Sequence, residues 1–320
     1  MKIPTRLIAF AAVLGLVFGG AALAGAAIHP TDSEETTSMP QTPHGAAGDT
    51  RDDGPAGAGA GAHGGGHAAM AGGAAATGLA VSEGGFTLRP ERTFFEADQP
   101  ARFAFRITDA QARVVRGGYE PTHERELHLI VVRRDTAIFE HVHPRRAADG
   151  TWSVDVRLRE PGTYRVYADF KIDGQARTLA TDVFVPGDFQ PQPLPAPTTT
   201  DEADGYDVEL RAGEPRAGRE GELAFAVTRD GRPAENLEDY LGAKGHLVAL
   251  REGDLAYLHV HPTAAGEAHE HAGGEQSTEA HGNEIKFAAT FPTADRYRLF
   301  LQFKTDREIR TVAYTLEVPR

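Results

Sequence analysis

Two six-residue stretches, FEHVHP at 139–144 and YLHVHP at 257–262, each carry two histidines one residue apart, closed by a proline. In an extended strand, side chains i and i+2 share a face, so His141 and His143 are neighbours about 7 Å apart at Cα. That separation lets two imidazoles converge on one small ion. His128 opens the apolar run thirteen residues before His141, and a hairpin of this length returns it to the pair. The same triangle recurs as His246, His259 and His261, each 118 residues further on. Three neutral imidazoles plus water make an open site for copper, which is preferred, or zinc, which comes second. A structural reading stands beside this one. A ring N–H given to a carbonyl fills space equally well, and Pro144 or Pro262 stops a strand.

A further group lies in EAHEHAGGEQSTEAHG, where His269, His271 and His281 sit among glutamates and glycines. No core needs this composition, which suits a loose metal scavenger or a solvated acidic loop. Among the functions the chain excludes, those of cysteine come first. It has none, so disulfides, thiolate zinc sites, catalytic thiols and the blue-copper ligand set are absent. Its three methionines, Met1, Met39 and Met70, precede the expected folded part, which argues against a thioether Cu(I) site. No nucleophile elbow, HExxH or phosphate loop is present, and Glu140 faces away from His141, so no catalytic set is expected.

The formal charge is -13, and residues 1–78, 79–186 and 187–320 contribute -3, 0 and -10. No segment is basic enough to attract nucleic acid. Residues 1–28 read as a signal peptide or membrane anchor. Lys2 and Arg6 precede an uncharged run from Leu7 to Thr31 that contains small-x-small cleavage sites. In both cases the remainder faces outward, and the membrane is touched only through this segment. Residues 29–78, poor in large apolar side chains, read as a disordered tether.

From residue 79, short runs alternate apolar and polar residues with period two, rich in Val, Ile, Phe and Tyr. PAENLEDYLG at 233–242 is the one stretch that suggests a short helix. The expected architecture is all-β: two tandem immunoglobulin-like sandwiches, at 79–186 and 206–320, joined by a Pro-rich linker at 187–205. The second repeat carries an insertion at 263–282, because the offset between copies rises from 118 to 133 after the HVHP element, with Phe170 matching Phe303. EPGTYRVY further predicts a tyrosine corner at Tyr164, repeated at Tyr297, in which the hydroxyl returns to nearby backbone.

HLIVVRRD with FEHVHP, HLVALREGD with YLHVHP, and GTYRVYADF with YRLFLQF resemble a group of exported bacterial proteins common in actinobacteria. These are described as hypothetical secreted or heavy-metal-binding proteins. More distantly, the sandwich and its strand histidines are similar to periplasmic copper carriers of the CopC and YtkA-like kind. In the CopC type, Cu(II) is held by an N-terminal His and an acidic-x-His strand pair. Here HVH replaces that pair, and no folded domain begins with His. The resemblance implies export and a copper context. The expected function is non-enzymatic metal binding outside the cytoplasm. The alternative is an envelope or surface interaction module, partnered by envelope proteins, in which the histidines are structural.

Overall fold

The computed structural model describes residues 76–262 and 283–320, and for His259 and His261 the backbone alone. The hydrophobic N-terminal segment, nearly all of the tether, and the insertion with His269, His271 and His281 lie outside the described residues. Among the described residues no helix is long and apolar enough to cross a membrane.

The fold is two tandem immunoglobulin-like β-sandwiches. The principal strands of the first repeat are β1 (Phe86–Pro90), β2 (Ala101–Thr108), β3 (Leu127–Arg133), β4 (Phe139–Val142), β5 (Trp152–Val156), β6 (Gly162–Ile172) and β7 (Gln175–Val185). Their counterparts are β8 (Tyr206–Ala212), β9 (Glu220–Arg229), β10 (Gly245–Arg251), β11 (Tyr257–His259), β12 (Glu284–Thr290), β13 (Asp295–Thr305) and β14 (Glu308–Val318). One sheet of each sandwich runs β1-β2-β5 or β8-β9-β12, and the other runs β7-β6-β3-β4 or β14-β13-β10-β11.

Period-two patterning gives each sandwich its own core. Leu88, Phe105, Trp152, Leu129 and Tyr164 fill the first, and Tyr206, Phe225, Phe287, Leu247 and Phe303 the second. Both tyrosine corners form as expected. Tyr164 donates its hydroxyl to the Glu160 carbonyl at 2.8 Å, and Tyr297 to the Thr293 carbonyl at 2.9 Å.

Two local expectations need correction. The stretch 233–242 is not helical: Leu237–Glu238 pairs with Thr305 and Lys304 of β13, and Tyr240 bridges Ala243 around a tight turn. Its charged residues suit a helix surface, but Leu237 is drawn into the sandwich core and Leu241 is buried, so tertiary burial overrides local propensity. The HVHP element is also not one continuous strand. β4 ends at Val142, and Arg145–Arg146 pairs with β5 in the opposite sheet, so His143 and Pro144 make the crossing. In the second repeat His259 pairs in one sheet and His261 in the other. Within the Pro-rich stretch, Thr200–Ala203 pairs with β8.

The two repeats belong to one compact unit. The reason lies in β3 and β10. All seven residues of β3 are buried, as are the first six of β10. Leu127, Leu129 and Val131 face the first core, whereas Ile130 and Val132 face the other repeat and meet Val248 and Leu250. Phe139 stacks on Phe300 at 4.1 Å between centroids and 8° between planes. Tyr167 donates its hydroxyl to the Leu255 carbonyl at 2.6 Å, and Thr77 pairs with Tyr257 through backbone bonds in both directions. Continuously apolar strands are the usual mark of burial on both faces.

Phe300 is 4 % exposed and sits at the centre of this interface. Phe300→Ala is expected to destabilise the protein by about 3 kcal/mol, as large-to-small changes at buried aromatics do. Urea unfolding followed by fluorescence measures this, and an unchanged midpoint would show that the repeats do not rely on each other.

Candidate functional site

The face of β3 that carries Ile130 and Val132 also carries His128, and the matching face of β10 carries His246. The histidines at the second positions of these two strands are therefore turned toward the contact between repeats. Each is held in the same way. His128 donates Nε2–H to the Thr122 carbonyl at 2.8 Å, and His246 donates Nε2–H to the Tyr240 carbonyl at 2.8 Å. Both carbonyls sit on tight turns whose central residues have positive φ: His123 (47°) and Glu124 (60°), and Leu241 (53°) and Gly242 (76°). That pattern is the hairpin turn in which both central residues are left-handed.

His141 and His143 join His128 as their spacing predicts. Their ring centroids lie 4.8 Å apart. His128 Nδ1 is 3.0 Å from His141 Nε2 and 3.2 Å from His143 Nε2. One ring nitrogen from each of the three lies within 4.8 Å of the others. Two nitrogens bound to one ion at 2.0–2.1 Å stand roughly 2.9–3.4 Å apart when adjacent. Among the described residues this is the group of three or more such side chains whose donor atoms converge.

The hydrogen-bond partners decide which nitrogens carry protons. A carbonyl only accepts, so His128 carries its proton on Nε2 and offers a lone pair at Nδ1. His141 Nδ1 lies 3.0 Å from Gln302 Oε1, while Gln302 Nε2 reaches Thr311 Oγ1 at 3.3 Å. With the amide in this orientation, its oxygen takes the His141 Nδ1 proton and leaves a lone pair at Nε2. His128 Nδ1 and His141 Nε2 therefore face each other as two lone pairs. His143 can place one N–H toward His128, but with both outer bonds kept, no arrangement of neutral rings puts a proton between His128 and His141. A cation at that point removes the repulsion.

A proton is disfavoured there. Burial, then the neighbouring His128, His143 and His246, hold His141 well below the ordinary histidine range. Burial, then His128, Arg125 and His246, push His143 down to about 3. Burial, with smaller contributions from His123 and His128, pushes His246 down to about 4, against the Tyr240 carbonyl, which favours the charged ring. Neutral imidazoles in a partly buried cluster are in the state that ligates metal.

A histidine of the second repeat also stands close to this triad. His246 belongs to the second repeat, yet its ring lies 6.3 Å from that of His128 and 6.1 Å from that of His141. His123, which spacing did not single out, lies 5.1 Å from His246. A cavity of about 30 Å³, space for one water or ion, is bounded by His123, His128, His141, Asp169 and His246 among others. His259 pairs with Val248 as His141 pairs with Ile130, and His261 pairs with Ala288; these are register positions only. The unbroken apolar character of HLIVV and HLVAL was the signal available for a contact between repeats. Gln302 had no such signal.

The chain belongs to the family described as a domain of unknown function, DUF8832, whose model matches residues 80–187 and again residues 201–320. No curated protein matches the sequence. Among solved structures it is similar to the Escherichia coli adhesin FdeC, with 11 % identity, 75 % of this chain and 65 % of that one covered, and a TM-score of 0.22. The adhesin InvE of Yersinia pseudotuberculosis gives 12 %, 73 % and 59 %, with a TM-score of 0.22. Domains 4–9 of the surface-layer protein SbsC give 10 %, 73 % and 31 %, with a TM-score of 0.21. The chain spans less than two thirds of each of these structures, and likeness at this level bears on no function.

The depressed histidines predict a pH dependence for the metal-free protein. Unfolded histidines protonate near 6.5, whereas His246 and His143 in the folded chain wait until about 4 and about 3. As pH falls below 6.5 the unfolded chain takes up protons that the folded chain does not, so stability falls. The slope approaches about 1.4 kcal/mol per pH unit for each such histidine. Urea midpoints measured from pH 7.5 to 4.5 should be level at first and then decline. A flat profile would mean that these rings are solvated.

Proposed function

We propose that the protein is a non-enzymatic metal-binding protein acting outside the cytoplasm, which holds a copper or zinc ion on His128, His141 and His143. The observation that carries this reading is the pair of lone pairs, His128 Nδ1 and His141 Nε2, held 3.0 Å apart by bonds to the Thr122 carbonyl and the Gln302 amide oxygen. Imidazole nitrogen without carboxylate or sulfur suits Cu(II) first, on intrinsic affinity, and Zn(II) second. The motif resemblance to exported copper carriers and the signal-like residues 1–28, both read from the sequence alone, are in keeping with this. His246, with His259 and His261 at register positions matching the first triad, is assigned to an ion of the same class. His269, His271 and His281 supply weaker, auxiliary binding.

A second reading, a surface interaction module, is favoured by a separate observation. Phe94 is 65 % exposed and lies 5.3 Å from the ring of Phe184, itself partly exposed, on the outside of the first sandwich. Exposed paired aromatics are common in interfaces.

Calorimetry with Cu(II) on the full chain separates the two. The wild-type protein is expected to bind with at least one tight equivalent, and His141→Ala with His143→Ala to lose one. Circular dichroism establishes that the double variant is folded. Equal tight stoichiometry in both proteins would remove the metal reading and leave the interaction module.

A further inference from the structure

Resting on the metal-site reading, we propose that Gln302, a residue of the second repeat, is the positioning residue for the metal centre of the first. Its amide oxygen holds the Nδ1 proton of His141 across a separation of 161 residues and so selects Nε2 as the nitrogen presented to the ion. Gln302 is itself fixed. It is 8 % exposed, it lies beside His246 in the β10–β13 ladder, and its Nε2 reaches Thr311 Oγ1 in β14. Two positions before it on the same face of β13, Phe300 stacks on Phe139, which stands two positions before His141 on the same face of β4. The stack and the hydrogen bond therefore register the same two strands against each other. The centre is complete only when the repeats are packed together.

The chemistry of the residue at this position sets how tightly an ion is held. A carboxylate behind a ligating imidazole raises its basicity, and a neutral amide does so less. The matching position in the first repeat, 133 residues earlier, is a carboxylate, Asp169. There, Thr178 donates Oγ1–H to Asp169 Oδ1 at 2.9 Å, where the second repeat has Thr311 beside Gln302. The chain thus already accommodates an acid with a threonine donor at this place in the fold. The amide at Gln302 gives the first-repeat centre a correctly oriented but moderately basic ligand, suited to an ion that is taken up and surrendered.

The test is a titration of Cu(II) alone, against a competing chelator, into the full-length wild-type chain and its Gln302→Ala, Gln302→Glu and His141→Ala variants. Gln302→Ala is expected to weaken the site by roughly tenfold to a hundredfold, the usual effect of removing such a partner. Gln302→Glu is expected to restore or exceed wild-type affinity. Imidazole ¹⁵N shifts of the metal-free protein should show His141 protonated at Nδ1 in the wild type and lose that preference in Gln302→Ala. Wild-type affinity in Gln302→Ala, with binding lost in His141→Ala, would overturn the proposal and leave the metal reading intact. Equal weakening in the Ala and Glu variants would assign Gln302 to interface packing and overturn it as well. Absence of Cu(II) binding by the wild-type chain overturns both readings together.

Discussion

The packing of one sheet against its duplicate is the interaction on which the rest of this molecule depends. β3 and β10 are each buried on both faces, with one face in a sandwich core and the other against the neighbouring repeat. A strand so placed cannot alternate apolar with polar residues. It can, however, carry a polar side chain at its end if that side chain finds partners. His128 and His246 occupy that position, each with its ring N–H given to a carbonyl on a tight turn. Burial pushes His246 down to about 4, and so keeps that ring neutral.

Neutrality has a consequence for the cluster. An imidazole has two nitrogens, and fixing the proton on one fixes the lone pair on the other. In His128 the fixing group is backbone of the same repeat, and in His141 it is an amide of the other repeat. A centre built within one sandwich would need only local bonds. This cluster draws on both, so its arrangement depends on the docking of the repeats.

The duplication is close in frame and divergent in detail. The two tight turns, the anchored histidines, the tyrosine corners and the interface strands recur in both copies. His123 in the first turn is replaced by Leu241 in the second, and Asp169 is replaced by Gln302. These differences fall where the repeats face each other. The hydrophobic core of each sandwich is apolar in both copies.

The sequence by itself determined the all-β class, the two repeats, the tyrosine corners and the grouping of His128 with His141 and His143. These follow from short-range rules: the two-residue period of a strand, the reach of a hairpin, and a tyrosine near the start of its strand. It suggested a short helix at 233–242, because the charged residues there resemble a helix surface while burial of Leu237 and Leu241 decides otherwise. Only the tertiary structure decided that His246 faces the histidines of the other repeat, that His143 lies at a crossing between sheets, and that Gln302 orients His141. Residues 161 apart in the chain have no local pattern in common. Their meeting is set by how two sheets, each already formed, pack face to face.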